Sequence, residues 1–271
     1  MKGELLSATG NRFVLLDLRA EADASAWLAP PAGWLAAALG APRSAPAADG
    51  LLLVLEAGSA ADLRMVLVNR DGSRPEACGN GLRCIGDWAT RAGLENGGKL
   101  RVATDSGVRE LEIRRAQGAV RVKAHLGAAR VLARDEPLRV GGEEVRATLV
   151  DVGNPHCVVF VDALERPPIR LWGPRLERHP RFQGRTNVEL VAREPSGLAM
   201  RVWERGVGET RACGTGACAA AVAAAERCDL DWPIGVRCTG GVLVVDRDER
   251  GELWLEGEVE VLGDVEVHRP G

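Results

Sequence analysis

Lysine is almost missing from this chain. Of 35 basic residues only Lys2, Lys99 and Lys123 are lysines, and the rest are arginine. Genomic base composition accounts for such a bias, but it has a chemical consequence. Amino-acid chemistry through pyridoxal phosphate needs a Schiff-base lysine. Lys2 is terminal, Lys99 follows the Gly97-Gly98 turn and Lys123 sits in an alternating strand, so none suits that role. A mechanism with no cofactor is favoured. Long apolar runs are also absent. The longest, such as residues 51–55, are far too short to cross a bilayer. The opening Met1-Lys2-Gly3-Glu4 carries an acid early and has no apolar core behind it, unlike a signal peptide. A cytoplasmic location is expected. Surplus charge is missing too: a net charge of −3 gives no electrostatic reason to expect nucleic acid or an anionic membrane as partner.

What is present describes a globular chain. It has 271 residues, 46% hydrophobic and 27% charged, enough for two domains with sizeable cores. Seven cysteines, an odd number without an export signal, read as reduced thiols rather than a disulfide framework.

The strongest internal signal is a repeat. Ala77-Cys78-Gly79-Asn80-Gly81 recurs as Ala212-Cys213-Gly214-Thr215-Gly216, and each copy runs into a helix-like segment, 82–92 and 217–227. Glycines at a helix start leave backbone N–H groups open to an anion. The same N–H groups and the helix dipole are expected to lower each thiol from about 8.5 towards neutrality. Burial in an apolar core is not expected beside Gly-x-Gly, so Cys78 and Cys213 read as reactive thiols. Cys84, Cys157, Cys218, Cys228 and Cys238 read as packing residues. Neither repeat has the short Cys spacing of structural zinc or a nearby histidine, so no metal is expected.

The order of elements repeats as well. Strands are expected at 4–8 and 13–18, joined through Gly10-Asn11, then at 51–55 and 63–68, with an interrupted helix at 24–39. After the first Cys-Gly corner a meander follows over 100–104, 108–113 and 120–126. The second half gives strands at 145–152 and 158–161, a short helix at 171–179 and strands at 187–192 and 199–204. Beyond the second corner come strands at 236–238, 242–246 and 253–258. Two similarly built domains are therefore expected, with a boundary near Gln117-Gly118: 1–117 and 118–257. Polar groups gather at strand ends in Asn69, in Gly153-Asn154-Pro155-His156, in Arg185-Thr186-Asn187 and in Trp203-Glu204-Arg205-Gly206. Taken singly, each is ordinary punctuation.

Taken together they are specific. Asn69-Arg70-Asp71-Gly72-Ser73 with Cys78-Gly79-Asn80-Gly81-Leu82-Arg83-Cys84 closely resembles the signature of the diaminopimelate epimerases. Gly153-Asn154-Pro155-His156, Arg185-Thr186-Asn187 and Glu204-Arg205-Gly206-Val207-Gly208-Glu209-Thr210 leading into Ala212-Cys213 resemble further motifs of that family, in the right order over most of the chain. The resemblance implies an α/β fold of the α+β type: two pseudo-symmetric domains, each a strand-wrapped central helix, with the active site in the interdomain cleft. It also implies that 258–271 return to the first domain and that neither cofactor nor metal is used. Cys78 and Cys213 would be the acid–base pair, sharing one proton so that their titration belongs to the pair. The N–H groups of Gly79, Asn80, Gly214 and Thr215 would bind the α-carboxylate. Asn11, Asn69, Asn154, Asn187 and Arg205 would hold the distal amino-acid end, with Glu204 facing an amino group. His156 and Glu204 would steady the thiols. The implied reaction interconverts LL- and meso-2,6-diaminopimelate, for lysine and peptidoglycan precursors, and a homodimer is the assembly expected.

Two positions depart from the family pattern. Arg12 stands where Asp is usual, and Asp49-Gly50 where an Asp-Gln pair is usual, so the substrate side of the first domain lacks a glutamine. Two other readings remain at this point: a proline or hydroxyproline racemase of the same fold, and a non-catalytic thiol-redox or ligand-binding protein.

Overall fold

The computed structural model describes residues 1–40, 47–75, 78–116, 119–165, 168–228 and 230–270, with the backbone alone at 116, 119 and 228. The chain divides into two compact units, Met1–Ala124 with Glu258–Gly271, and His125–Gly257. The division falls later than the Gln117-Gly118 turn, which lies outside the described residues. The reason is pairing: the start of the strand Ala119–Ala128 is laddered to Gly107–Ala116, as in Leu111 opposite Ala124.

In the first unit the strands lie side by side in the order Val259–Glu266, Lys2–Ala8, Asn11–Asp17, Gly50–Leu55, Leu63–Asn69, Lys99–Thr104, Gly107–Ala116 and Ala119–Ala128. Successive junctions run antiparallel, antiparallel, parallel, antiparallel, parallel, antiparallel, antiparallel. In the second unit the order is Arg130–Val140, Glu143–Asp151, Pro155–Phe160, Asn187–Glu194, Gly197–Glu204, Ile234–Cys238, Gly241–Arg247 and Glu252–Gly257. Its junctions follow the same series. A long helix occupies the same place in each series, Gly79–Arg91 and Gly214–Cys228, after the fifth strand and before the sixth. This is the α+β duplication expected from the repeated corner.

Each sheet packs on both faces, so its strands are apolar on both sides. In the first unit one face carries Val14, Leu16, Leu51, Leu53, Val66 and Val68, packed with Trp27, Leu35 and Leu39 from 25–39. That segment forms two short helices, Ser25–Leu28 and Ala32–Ala38, broken at Pro30-Pro31 because proline has no N–H to donate. In the second unit Cys157, Val159, Val188 and Leu190 pack with Ile169, Trp172 and Leu176. The opposite face wraps the long helix. Leu52, Leu82 and Ile85 are fully buried there, each worth about 1.5–3 kcal/mol of burial. The helix Gly214–Cys228 is built largely of buried alanines, which favour helix and let strands approach closely.

Several expectations shift. The first hairpin turns at Thr9-Gly10, not Gly10-Asn11: Ala8 pairs with Asn11, and both loop residues have positive φ (50° and 86°). That is the loop conformation whose twist matches the flanking strands. The short helix of the second unit is Ile169–Glu177 rather than 171–179. The strand Arg130–Val140 has no sequence signal. Most of it is exposed, it contains Pro137, and its register breaks between Val131/Ala133 and Ala133/Glu136, so no clean alternation survives.

Candidate active site

The strand register decides where polar groups meet. In the first unit Phe13 is the parallel partner of Gly50, and Gly50 faces Asn69 across an antiparallel pair. The starts of two strands and the end of a third therefore share one edge of the sheet. In the second unit His156 pairs with Asn187, and Val188 with Trp203, which brings Asn187 beside Glu204. Asn11, Phe13, Gly50, Leu52, Asn69 and Cys78 thus occupy places equivalent to Asn154, His156, Asn187, Glu189, Glu204 and Cys213.

At the first corner Cys78 is the N-cap of its helix. Its Sγ accepts a hydrogen bond from the N–H of Gly81 at 3.2 Å. A side chain at position 81 would begin 3.0 Å from Leu52 Cδ2 and 3.3 Å from Sγ, so glycine permits the thiol to fold back. Cys78 is half-buried. Asn80 is buried, and its Oδ1 accepts from Arg83 Nη2 at 2.7 Å. The same fully buried guanidinium donates to Thr9 Oγ1 at 2.8 Å and to the carbonyl of Gly79 at 3.2 Å. It thereby holds Thr9 in its left-handed conformation. Asn69 closes its strand in a tight turn, with Nδ2 donating to Ser73 Oγ at 3.0 Å. Asn11 opens the second strand on the same edge. Gly50 has no room for a larger residue, since a Cβ there would meet Leu67 Cδ1 at 2.9 Å and the Val68 carbonyl at 3.0 Å.

The second corner repeats this backbone with different surroundings. The N–H of Gly216 donates to Cys213 Sγ at 3.4 Å, and Thr215 Oγ1 lies 3.4 Å from the same sulfur. Helix geometry leaves the N–H groups of Gly79, Asn80, Gly214 and Thr215 without intrahelical acceptors. Two expectations for Cys213 need correction. It is buried, only 7% exposed. Its pKa is raised, not lowered: burial is the largest cause, followed by the charges of Glu204 and Glu189, against smaller help from Thr215 and Gly216. The helix start is present, but desolvation and two carboxylates outweigh it. Cys213 is held as a thiol.

His156 is buried between two oxygens, with Nδ1 2.7 Å from Glu189 Oε1 and Nε2 2.9 Å from Asn154 Oδ1. Asn154 Nδ2 reaches Thr215 Oγ1 at 3.4 Å. The side chain of Asn187 laces the protein, accepting from the Arg205 N–H at 2.9 Å and donating to the Pro155 carbonyl at 2.9 Å. Arg205 Nη1 reaches the Gly184 carbonyl at 3.4 Å, and Glu204 Oε1 accepts from Thr210 at 2.5 Å. The remaining described cysteines, Cys84, Cys157, Cys218 and Cys238, are buried thiols, and burial pushes Cys84 and Cys157 far up. The Cys228 side chain and Ala77 of the repeat lie outside the described residues.

Three residues escaped the sequence reading. Glu189 is an acid set among Val188, Leu190, Val191 and Ala192, a buried-polar signal that could have been read. Glu177, buried beside the Arg205 turn, accepts from Trp203 Nε1 at 2.8 Å and from the Gly206 N–H at 3.0 Å. Arg83 stood in a quoted motif with no role. Among the described residues no group of His, Cys, Asp and Glu could hold a metal.

Comparison with known proteins assigns a class first. A phenazine biosynthesis protein of the PhzF family from Bacillus anthracis superposes with a TM-score of 0.76 at 15% identity, covering 99% of both chains. A hydroxyproline epimerase from Agrobacterium vitis superposes with 0.71 at 17%, covering all of this chain and 93% of the other. The likeness to both is one of fold, and it extends over nearly the whole chain. Residues 5–132 and 148–262 match the family described as diaminopimelate epimerase. The diaminopimelate epimerase of Desulforudis audaxviator is 43% identical over 231 residues, 80% of this chain and 83% of that one. That of Pelotomaculum thermopropionicum is 40% identical over 227 residues, 79% and 81%. The chain belongs to the diaminopimelate epimerase family, and it is an isomerase.

Among the described residues no helix is long and apolar enough to cross a membrane.

Proposed function

We propose that this protein interconverts LL- and meso-2,6-diaminopimelate without cofactor or metal, using Cys78 and Cys213 as the acid–base pair. The observation that carries this reading is the pair of thiols, each capping a buried helix and held on a glycine N–H, in a chain of this family. Inverting an α-carbon requires a base on one face and an acid on the other. Cys78, half-buried with a buried guanidinium nearby, acts as thiolate and removes the α-proton. Cys213, protonated beside Glu204 and Glu189, delivers one to the opposite face. In the reverse direction the roles exchange. The N–H groups at the two helix starts bind the α-carboxylate and stabilise the carbanion as charge builds. Asn11, Asn69, Asn154, Asn187, Glu204 and Arg205 recognise the distal amino acid, where a guanidinium suits the carboxylate. The product serves lysine and peptidoglycan-precursor synthesis in the cytoplasm, and the protein acts as a homodimer.

The test is incubation of reduced protein with LL-diaminopimelate in deuterated water, free of metal and pyridoxal phosphate. Meso product carrying deuterium at one α-carbon is expected. No exchange, or faster turnover of proline or hydroxyproline in competition, ends the reading.

A further inference from the structure

The two units match strand for strand, so equivalent positions can be compared directly. In the first unit Phe13 and Leu52 occupy a pair of places whose equivalents in the second are His156 and Glu189. Leu52 lies over Gly81 in the first turn of one helix, with its Cδ2 3.0 Å from where a Cβ would stand. Glu189 lies over Gly216 in the other, with its Oε1 2.8 Å from the equivalent point. The fold accepts an apolar pair here, so it does not need a carboxylate for packing. Yet Glu189 is fully buried, and among the described residues its Oε2 has no hydrogen-bond partner. Removing a carboxylate from water and leaving one oxygen unsatisfied is costly, and replacing a buried ion pair by apolar residues is often neutral or stabilising. Something other than stability accounts for the acid.

We propose that Glu189 is a positioning residue for the Cys213 side of the site, fixing the His156 ring and, through its Nε2–H, setting the amide of Asn154 beside Thr215. The chain of contacts is continuous. Glu189 Oε1 lies 2.7 Å from His156 Nδ1, and Nε2–H donates to Asn154 Oδ1 at 2.9 Å. The amide nitrogen of Asn154 is thereby turned to Thr215 Oγ1 at 3.4 Å, and that oxygen lies 3.4 Å from Cys213 Sγ. A carboxyl group on one ring nitrogen of a histidine fixes how the ring is aimed and so where its other nitrogen points. The charged groups that act on Cys213 are Glu204, at the end of Gly197–Glu204, and Glu189, in Asn187–Glu194. Those facing Glu189 are His156 from Pro155–Phe160 and Cys213 from the helix start, while its charge also acts on the Cys157 thiol on the other face of the sheet. The negative charge of Glu189 also helps to keep Cys213 protonated.

The role of Glu189 rests on the reading that Cys213 is one of the two acid–base thiols, and the test separates the two. Glu189→Gln keeps shape and removes charge. It is expected to lower kcat/KM for diaminopimelate at least about tenfold, to change the ¹⁵N signals of the His156 ring, and to speed alkylation of Cys213 at pH 8 roughly tenfold. A wild-type kcat/KM, or unchanged His156 nitrogen signals, overturns the proposal. Should Glu189→Gln fail to fold, the double variant His156→Phe with Glu189→Leu installs the apolar pair of the first unit. It is expected to melt no lower than wild type and to show the same faster Cys213 alkylation, and unchanged alkylation overturns the proposal. A wild-type protein that never turns over diaminopimelate removes the proposed function alone, because the nitrogen signals and Cys213 alkylation are read without substrate.

Discussion

The two Cys-Gly corners share a backbone and differ in buried charge. Around Cys78 the buried ionic group is a cation, Arg83, bonded to Asn80, Thr9 and the Gly79 carbonyl. Its equivalent, five residues after Cys213, is the buried Cys218. Around Cys213 the charges are carboxylates, the buried Glu189 and the half-buried Glu204, while the place of Glu189 is held by Leu52 in the first unit. The Cys213 corner is therefore biased to hold a thiol by carboxylates that the Cys78 corner lacks at the equivalent places. Divergence at these positions makes the two duplicated corners unequal.

The hardest test of the comparison removes either sulfur. Cys78→Ala and Cys213→Ala should each reduce epimerisation by about a thousandfold, within the range for losing a general acid or base. Binding of the distal amino acid should survive in both. A variant that keeps near-native inversion shows that one thiol suffices. Next in size is Arg83→Met, which leaves Asn80 Oδ1 and Thr9 Oγ1 without their donor. Urea unfolding should show a loss of about 2–4 kcal/mol. Loss of less than half that would mean that the guanidinium does not organise the first corner. Gly216→Ala places a methyl 2.8 Å from the Glu189 carboxylate. It should cost about 1–3 kcal/mol, and more than Gly81→Ala, whose methyl meets a movable leucine end at 3.0 Å. Equal losses would remove the distinction between the corners.

The smallest effect is in pH. Cys213, Cys84 and Cys157 all have raised folded values, caused first by burial. A thiol that binds its proton more tightly when folded adds stability below its unfolded value of about 8.5. That contribution is lost as pH rises above 8.5 toward the folded value. Stability should therefore decline on the alkaline side, and Cys213→Ala should flatten the decline in melts run from pH 8 to 10. In the same range iodoacetamide should label Cys78 faster than Cys213, and the reverse order would contradict the charge assignment.

Much of the architecture was legible because it is written in periodicity and repetition. Alternating and apolar runs placed most strands, glycine and proline placed the breaks, and the repeated Ala-Cys-Gly-x-Gly located both helix starts. The strand Arg130–Val140 was not legible, because an exposed, bulged strand carries no alternation. The first hairpin loop is displaced by one residue from the expected Gly10-Asn11, because Thr9 takes a positive φ uncommon for threonine, with its hydroxyl bonded to Arg83. That contact spans 74 positions in the chain.

The sequence by itself determined most of the elements, the duplication and the family, since these depend on local chemistry and on the order of motifs. Tertiary structure alone decided the character of the Cys213 thiol. A helix start predicts a lowered pKa from local dipoles, whereas burial and charge depend on what distant strands bring near. For Cys213 those strands bring Glu189 and Glu204, and their effect, with desolvation, exceeds that of the helix start.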